Sequence, residues 1–246
     1  MDKVNRIFDQ LDDWRHLPTY QLERRADIFF SLYLREILQE STGEEIHEVI
    51  IPEFTLRKAT LDPNNGNNQH FCADYLAFSS QLKRAFLVEL KTDPKSGNDK
   101  QNEYLRQARD VGLEELLRGL IAAFKPGMSQ QTRQKRLYLL KKFASIGMVS
   151  GLKAAAEFAS RERHQGFTKA LEQVSVASVE PKISLVFIHP RKFENRDESE
   201  GSTFDYWVSF EQVLKVVGNH TDILSQRFAE ALKDWSENTA GSRNFS

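Results

Sequence analysis

Cys72-Ala73-Asp74-Tyr75-Leu76-Ala77-Phe78, followed after a short gap by Ala85-Phe86-Leu87-Val88-Glu89-Leu90-Lys91, is the stretch on which the fold turns. Both runs read as strands. The gap, Ser79 to Arg84, is polar apart from Leu82, which predicts a hairpin. A strand alternates its side chains, so Phe86, Val88 and Leu90 share one face and Leu87, Glu89 and Lys91 share the other. An acid and a base two apart on an otherwise apolar strand are costly to bury without partners. With the turn centred between Gln81 and Leu82, the numbers of paired residues add to 163, and Asp74 falls opposite Glu89. Cross-strand neighbours have Cβ atoms about 4.5–5.5 Å apart. Carboxylates that close repel each other unless a cation lies between them, and oxygen ligands suit Mg²⁺ or Mn²⁺. Lys91, on the face of Glu89, is placed to polarise a water or offset charge on a phosphate. The register decides this: a slip of one residue would send the two acids to opposite faces.

Working outward, a helix is expected from about Tyr20 to Gln39. Leu22, Ala26, Phe29, Phe30, Tyr33 and Ile37 recur at helical spacing, and Gly43 ends the region. Glu48 to Lys58 reads as a strand, with Pro52 marking a bend or an edge position. Leu61 to Gln69 and Thr92 to Lys100 are rich in turn formers and read as loops. From Gln101 the pattern is helical towards Phe124, broken at Pro126-Gly127. Two more helices are expected over Ser129 to Ala144 and Gly151 to Arg163. Lys182 to His189 is a strand stopped by Pro190, and Phe204 to Val208 a short one. Helices are expected over Phe210 to Val217 and Thr221 to Trp235, then a polar, frayed tail from Ser236 to Ser246. The order is a helix, three strands, helices, a strand and a helical end, which predicts an α/β sandwich with a mixed sheet. With no composition break, residues 1–246 read as one domain. Its core runs over about 20–190, with a helical C-terminal extension over about 203–235.

The 246 residues carry 34 Lys plus Arg and 35 Asp plus Glu, for a formal net charge of -1. That balance excludes a histone-like or polybasic chain, yet a neutral total can hide a segregated basic face. Apolar residues make up 40%, enough to bury a core. Cys72 is the single cysteine, so neither an internal disulfide nor a cysteine-based zinc site can form, and a reducing, cytoplasmic setting is expected. There is no apolar run of about 18 residues to span a membrane. The charged start, Met1 to Trp14, lacks the apolar centre of a signal peptide.

A lone Glu-x-Lys triplet arises by chance about once in a chain of this length, so Glu89 and Lys91 alone say little. In their setting, with Asp74 on the partner strand, the chain resembles the PD-(D/E)XK nuclease superfamily over about Tyr20 to Pro190. Asp74 matches the family's first acid, Glu89 its second and Lys91 its lysine; Ala73 stands where a proline is usual. The resemblance implies a restriction-endonuclease-like core and Mg²⁺- or Mn²⁺-dependent hydrolysis of phosphodiester bonds, in DNA more than RNA. Asp74 and Glu89 would hold the ion. The resemblance further implies a first-helix glutamate near the metal, Glu23 before Glu36, and phosphate-contacting residues on the helix after the lysine, Gln101 and Tyr104.

Arg133, Lys135, Arg136, Lys141 and Lys142 make Ser129 to Phe143 a basic helix that either contacts phosphates or faces solvent. His189 ends a strand and reads first as structural. The remaining histidines show no metal-binding spacing, and no phosphate-binding glycine loop, dinucleotide fingerprint or nucleophile elbow is present. The reading is a metal-dependent nuclease. The alternative is a non-catalytic nucleic-acid- or protein-binding module on the same fold, with oligomeric state, a dimer included, left open.

Overall fold

A computed structural model of the chain describes residues 2–62, 69–93, 99–125, 127–159, 166–178, 181–191 and 203–237. It is an α/β protein with a five-stranded mixed sheet in the order β1-β2-β3-β6-β7. These strands are β1 (Ile51–Arg57), β2 (His70–Phe78), β3 (Arg84–Leu90), β6 (Lys182–His189) and β7 (Tyr206–Ser209). A separate two-stranded ladder joins β4 (Val149–Ser150) to β5 (Ser175–Val176). β1 pairs with β2 antiparallel and β6 with β7 parallel. As Pro52 requires, β1 is an edge strand. No helix among the described residues is long and apolar enough to cross a membrane.

The chain divides into two compact units. The first comprises Met1–Glu48, Val88–Asn102 and Ser184–Ser246; the second comprises Val49–Leu87 and Glu103–Ile183.

The first unit contains α1 (Lys3–Trp14), α2 (Glu23–Thr42), α9 (Phe210–Val217) and α10 (Ile223–Glu237). Of the stripe that the spacing predicts, Ala26, Phe30, Tyr33 and Ile37 are buried on α2 and Phe29 is half-buried; Leu34 and Leu38 join the buried face. Gly43 ends α2 at φ 71°, where its N–H bonds the Gln39 carbonyl at 2.9 Å. The core is aromatic: Phe30 lies 5.4 Å from Phe210 and 5.1 Å from Phe228 between ring centroids, and Tyr33 stacks on Phe228 at 5.8 Å. The polar ends of the aromatics are satisfied. Tyr33 and Ser225 share a 2.7 Å hydrogen bond, and Trp235 Nε1 donates to Asp12 at 2.8 Å. Burial is the first cause that raises the Asp12 pKa above the usual carboxylate value, and the Trp235 bond works against it. α9 starts with a reciprocal cap between Ser209 and Gln212.

In the second unit the β2–β3 turn sets the register. Ser79 N–H donates to the Arg84 carbonyl at 3.0 Å, a pair whose numbers add to the expected 163. The unit also contains α3 (Lys58–Leu61), α4 (Asp99–Val111) apart from its first residues, α5 (Leu113–Ala122), α6 (Gln130–Ser145), α7 (Leu152–Ala159) and α8 (Phe167–Leu171). Phe143 of α6 meets Phe54 at 5.9 Å and Phe78 at 6.3 Å. α5 comes so close to α3 that a Cβ on Gly119 would lie 2.2 Å from Thr60 Oγ1.

Three details depart from the sequence reading. The helix expected from Gln101 towards Phe124 is two helices, because Gly112 takes φ 85° between α4 and α5. α1 was not visible as a helix, since its pattern is mostly polar; Phe8 and Leu11 are the buried residues that hold it. The basic helix is not one solvated face: Arg133 is buried, with Nη1 on the Met128 carbonyl at 2.6 Å. The expected frayed tail, from residue 238 onward, lies outside the described residues.

Candidate active site

In the first unit, Glu89, Lys91, Gln101 and Glu23 form one cluster. Its carboxylate is wholly shielded from solvent, and Lys91, two residues on, is 10% exposed at the side chain. Lys91 Nζ donates to Glu89 Oε1, and Gln101 Nε2 donates to the same oxygen. Glu23, at the first turn of α2, brings Oε2 to 3.5 Å from Lys91 Nζ. The backbone that carries Lys91 is pinned by its N–H on the Ile188 carbonyl of β6 at 2.9 Å. Strand alternation explains why Glu89 and Lys91 share a face, and the bonds explain how a full charge is tolerated at a buried position.

Glu36, the second choice on α2, is elsewhere: its Oε2 lies 2.9 Å from His220 Nε2. His189 is buried against Phe187 and Trp207, ring centroids 5.1 Å away in both cases, and its Nδ1 accepts the Arg191 N–H at 3.0 Å. That is a packing role.

In the second unit, Asp74 stands half-buried on β2. The β1–β2 register pairs Pro52 with Tyr75 and Phe54 with Ala73, which sets Glu53 opposite Asp74. Glu53 holds φ 50°, an uncommon backbone state for a residue with a side chain. The next pairs along the same face are Thr55 with Cys72 and Arg57 with His70. Burial first, with Glu53 and Asp74 adding to it, pushes the Cys72 thiol pKa up. Tyr104 packs against Phe71 at 5.7 Å, with Lys58 Nζ 4.8 Å from its ring centroid. The structure thus gathers Glu23, Glu89, Lys91 and Gln101 in one unit and places Asp74 and Tyr104 in the other.

Among the described residues, no group of three or more His, Cys, Asp or Glu side chains gathers as a metal-holding set. The site offers carboxylate oxygens, which are hard donors of the kind Mg²⁺ and Mn²⁺ take. Glu53 was missed in the sequence. Its only signal was a carboxylate next to Pro52 on a strand, and strand pairing is needed to see that it faces Asp74.

Compared with family models, curated proteins and solved structures, the chain matches none.

Proposed function

We propose that this chain is a metal-dependent nuclease, with a restriction-endonuclease-like core, that hydrolyses phosphodiester bonds in DNA. The observation that carries the reading is the cluster in which Glu89, shielded from solvent, meets Lys91 and Gln101 while Lys91 also meets Glu23. A surface strand end would give no reason to bury an acid and a base together.

In this reading Asp74 and Glu89 would hold one Mg²⁺ or Mn²⁺, the ligand pair that the resemblance implies. The ion supplies charge stabilisation on the scissile phosphate. Lys91 orients the attacking water and offsets charge that develops on the phosphoryl oxygens. Water adds its oxygen to phosphorus, the phosphorus–oxygen bond to the leaving strand breaks, and the leaving oxygen ends protonated. Glu23 tethers Lys91, and Gln101 fixes the carboxylate rotamer of Glu89. Tyr104 is the further phosphate contact.

The test is cleavage of duplex and single-stranded DNA by the purified full chain in Mg²⁺. Asp74→Asn is expected to abolish cleavage with unchanged circular dichroism. Equal cleavage by wild type and Asp74→Asn would sink the reading.

One observation favours a second reading, the non-catalytic binding module. Lys91 and Gln101 both spend a donor on Glu89 Oε1, as a purely structural ion pair would. That module would bind DNA or a protein partner with affinity unchanged by EDTA and by Asp74→Asn.

A further inference from the structure

A second site lies wholly within the second unit, on the far side of Thr55 and Cys72 from Glu53 and Asp74. Here the shared face of β1 and β2 meets α5 and α6 around a cavity of about 250 Å³. None of the residues assigned to nuclease chemistry lines it.

The charge along this face is ordered. Glu53 and Asp74 stand at one end, the Thr55–Cys72 pair in the middle, and the Arg57–His70 pair at the other end. Four residues of strand separate Glu53 from Arg57, about 13 Å at the usual rise. Arg57 and His70 line the cavity from the strands, and Arg136 lines it from α6. Among the described residues, no carboxylate lines it. Arg136 is held by Nη1 on the Ala123 carbonyl at 2.5 Å, so one nitrogen of its fork is fixed in place while the guanidinium carries further N–H donors.

These basic groups act on one another. Burial is the first cause that lowers the His70 pKa, followed by Arg136, Arg57 and Lys125; burial and then Arg57 lower that of Arg136. A bound anion would offset this mutual repulsion. Leu120, Leu139 and Leu140 supply the apolar part of the lining. A pocket with an apolar wall and a few convergent polar groups is the usual form of a small-molecule site, and this volume suits a ligand below drug size.

We propose that this cavity binds a small organic oxyanion, a phosphate or carboxylate seated between Arg57 and Arg136 with its compact apolar body against the leucines. Guanidinium forks match both oxyanions in geometry. His70 adds a donor to the anion.

Calorimetry on the full chain tests this with three probes: phenyl phosphate, benzoate and inorganic phosphate. Saturable binding of phenyl phosphate or benzoate is expected, and the tighter of the two identifies the anion as phosphate or carboxylate. Inorganic phosphate should bind at least tenfold more weakly, because it cannot use the leucine wall. Arg57→Met and Arg136→Met should each weaken binding at least tenfold. Because Arg136→Met also removes the bond to Ala123, Arg57→Met and a melting curve on both variants keep a folding defect separate from a lost contact. Absence of saturable heat with all three probes at millimolar concentration would overturn the proposal. So would unchanged affinity in folded Arg57→Met and Arg136→Met.

Discussion

Lys91→Met asks how much the buried charge cluster depends on its cation. The variant keeps the length and apolar stem of the side chain and removes only the ammonium, so it leaves Glu89 buried with its charge uncompensated by Lys91. Breaking one side of a buried ion pair costs about 3–5 kcal/mol. Gln101 still donates to Glu89 Oε1, and Glu23, 31% exposed, loses its cation but can turn to solvent. The low end is therefore expected, about 3 kcal/mol. For a chain of this size that is a fall in Tm of about 6–12 °C. Urea unfolding of wild type and Lys91→Met measures it. The double variant Lys91→Met/Glu89→Gln carries no buried charge at the pair and should recover at least half the loss, giving a coupling above about 1 kcal/mol in the cycle. A loss below about 1 kcal/mol, the range of exposed pairs, would refute the reasoning, as would additive single variants.

Other expectations follow from the same geometry. Gly119→Ala drives a Cβ to 2.2 Å from Thr60 Oγ1 and should cost about 1–3 kcal/mol, partly restored by Thr60→Ala, as read in urea midpoints. Ser209→Ala removes the reciprocal cap of α9 and should cost about 1 kcal/mol by the same assay. Asp12→Asn concerns a carboxylate whose pKa is raised in the folded state. The stabilising effect of its protonation is complete below the unfolded pKa and is lost as pH rises through the folded value. The asparagine variant should thus be the more stable protein at pH 7, and melting curves down to acid pH should show that advantage vanish.

How much of this could be seen beforehand differs element by element. Strand alternation and a polar turn were enough to place Glu89 and Lys91 on one face, and the Ser79–Arg84 bond has the register expected. The α2 stripe was legible because Ala26, Phe30, Tyr33 and Ile37, all buried, recur at helical spacing, although Leu34 and Leu38 of the same face went unread. The break at Gly112 was not, because Leu105, Ala108, Leu113 and Leu116 keep an apolar pattern through it and only the backbone records φ 85°. α1 was hidden for a different reason: Phe8 and Leu11 are too few to stand out, and tertiary packing on Phe29 and Phe228 gives them their role. In the candidate site, Glu23 rested on a resemblance until its 3.5 Å approach to Lys91 separated it from Glu36. The cation cavity was invisible because Arg136 read as one more charge on a basic helix, while Arg57 and His70 lie in stretches with no motif.

The central claim is that Asp74 and Glu89 together hold a divalent ion required for phosphodiester cleavage. Calorimetric titration of the full chain with Mn²⁺ tests it most directly. Saturable binding is expected, abolished by Asp74→Asn and by Glu89→Gln, while the melting curve of Asp74→Asn stays cooperative. No Mn²⁺ binding by wild type, or an isotherm that both variants leave unchanged, would contradict it.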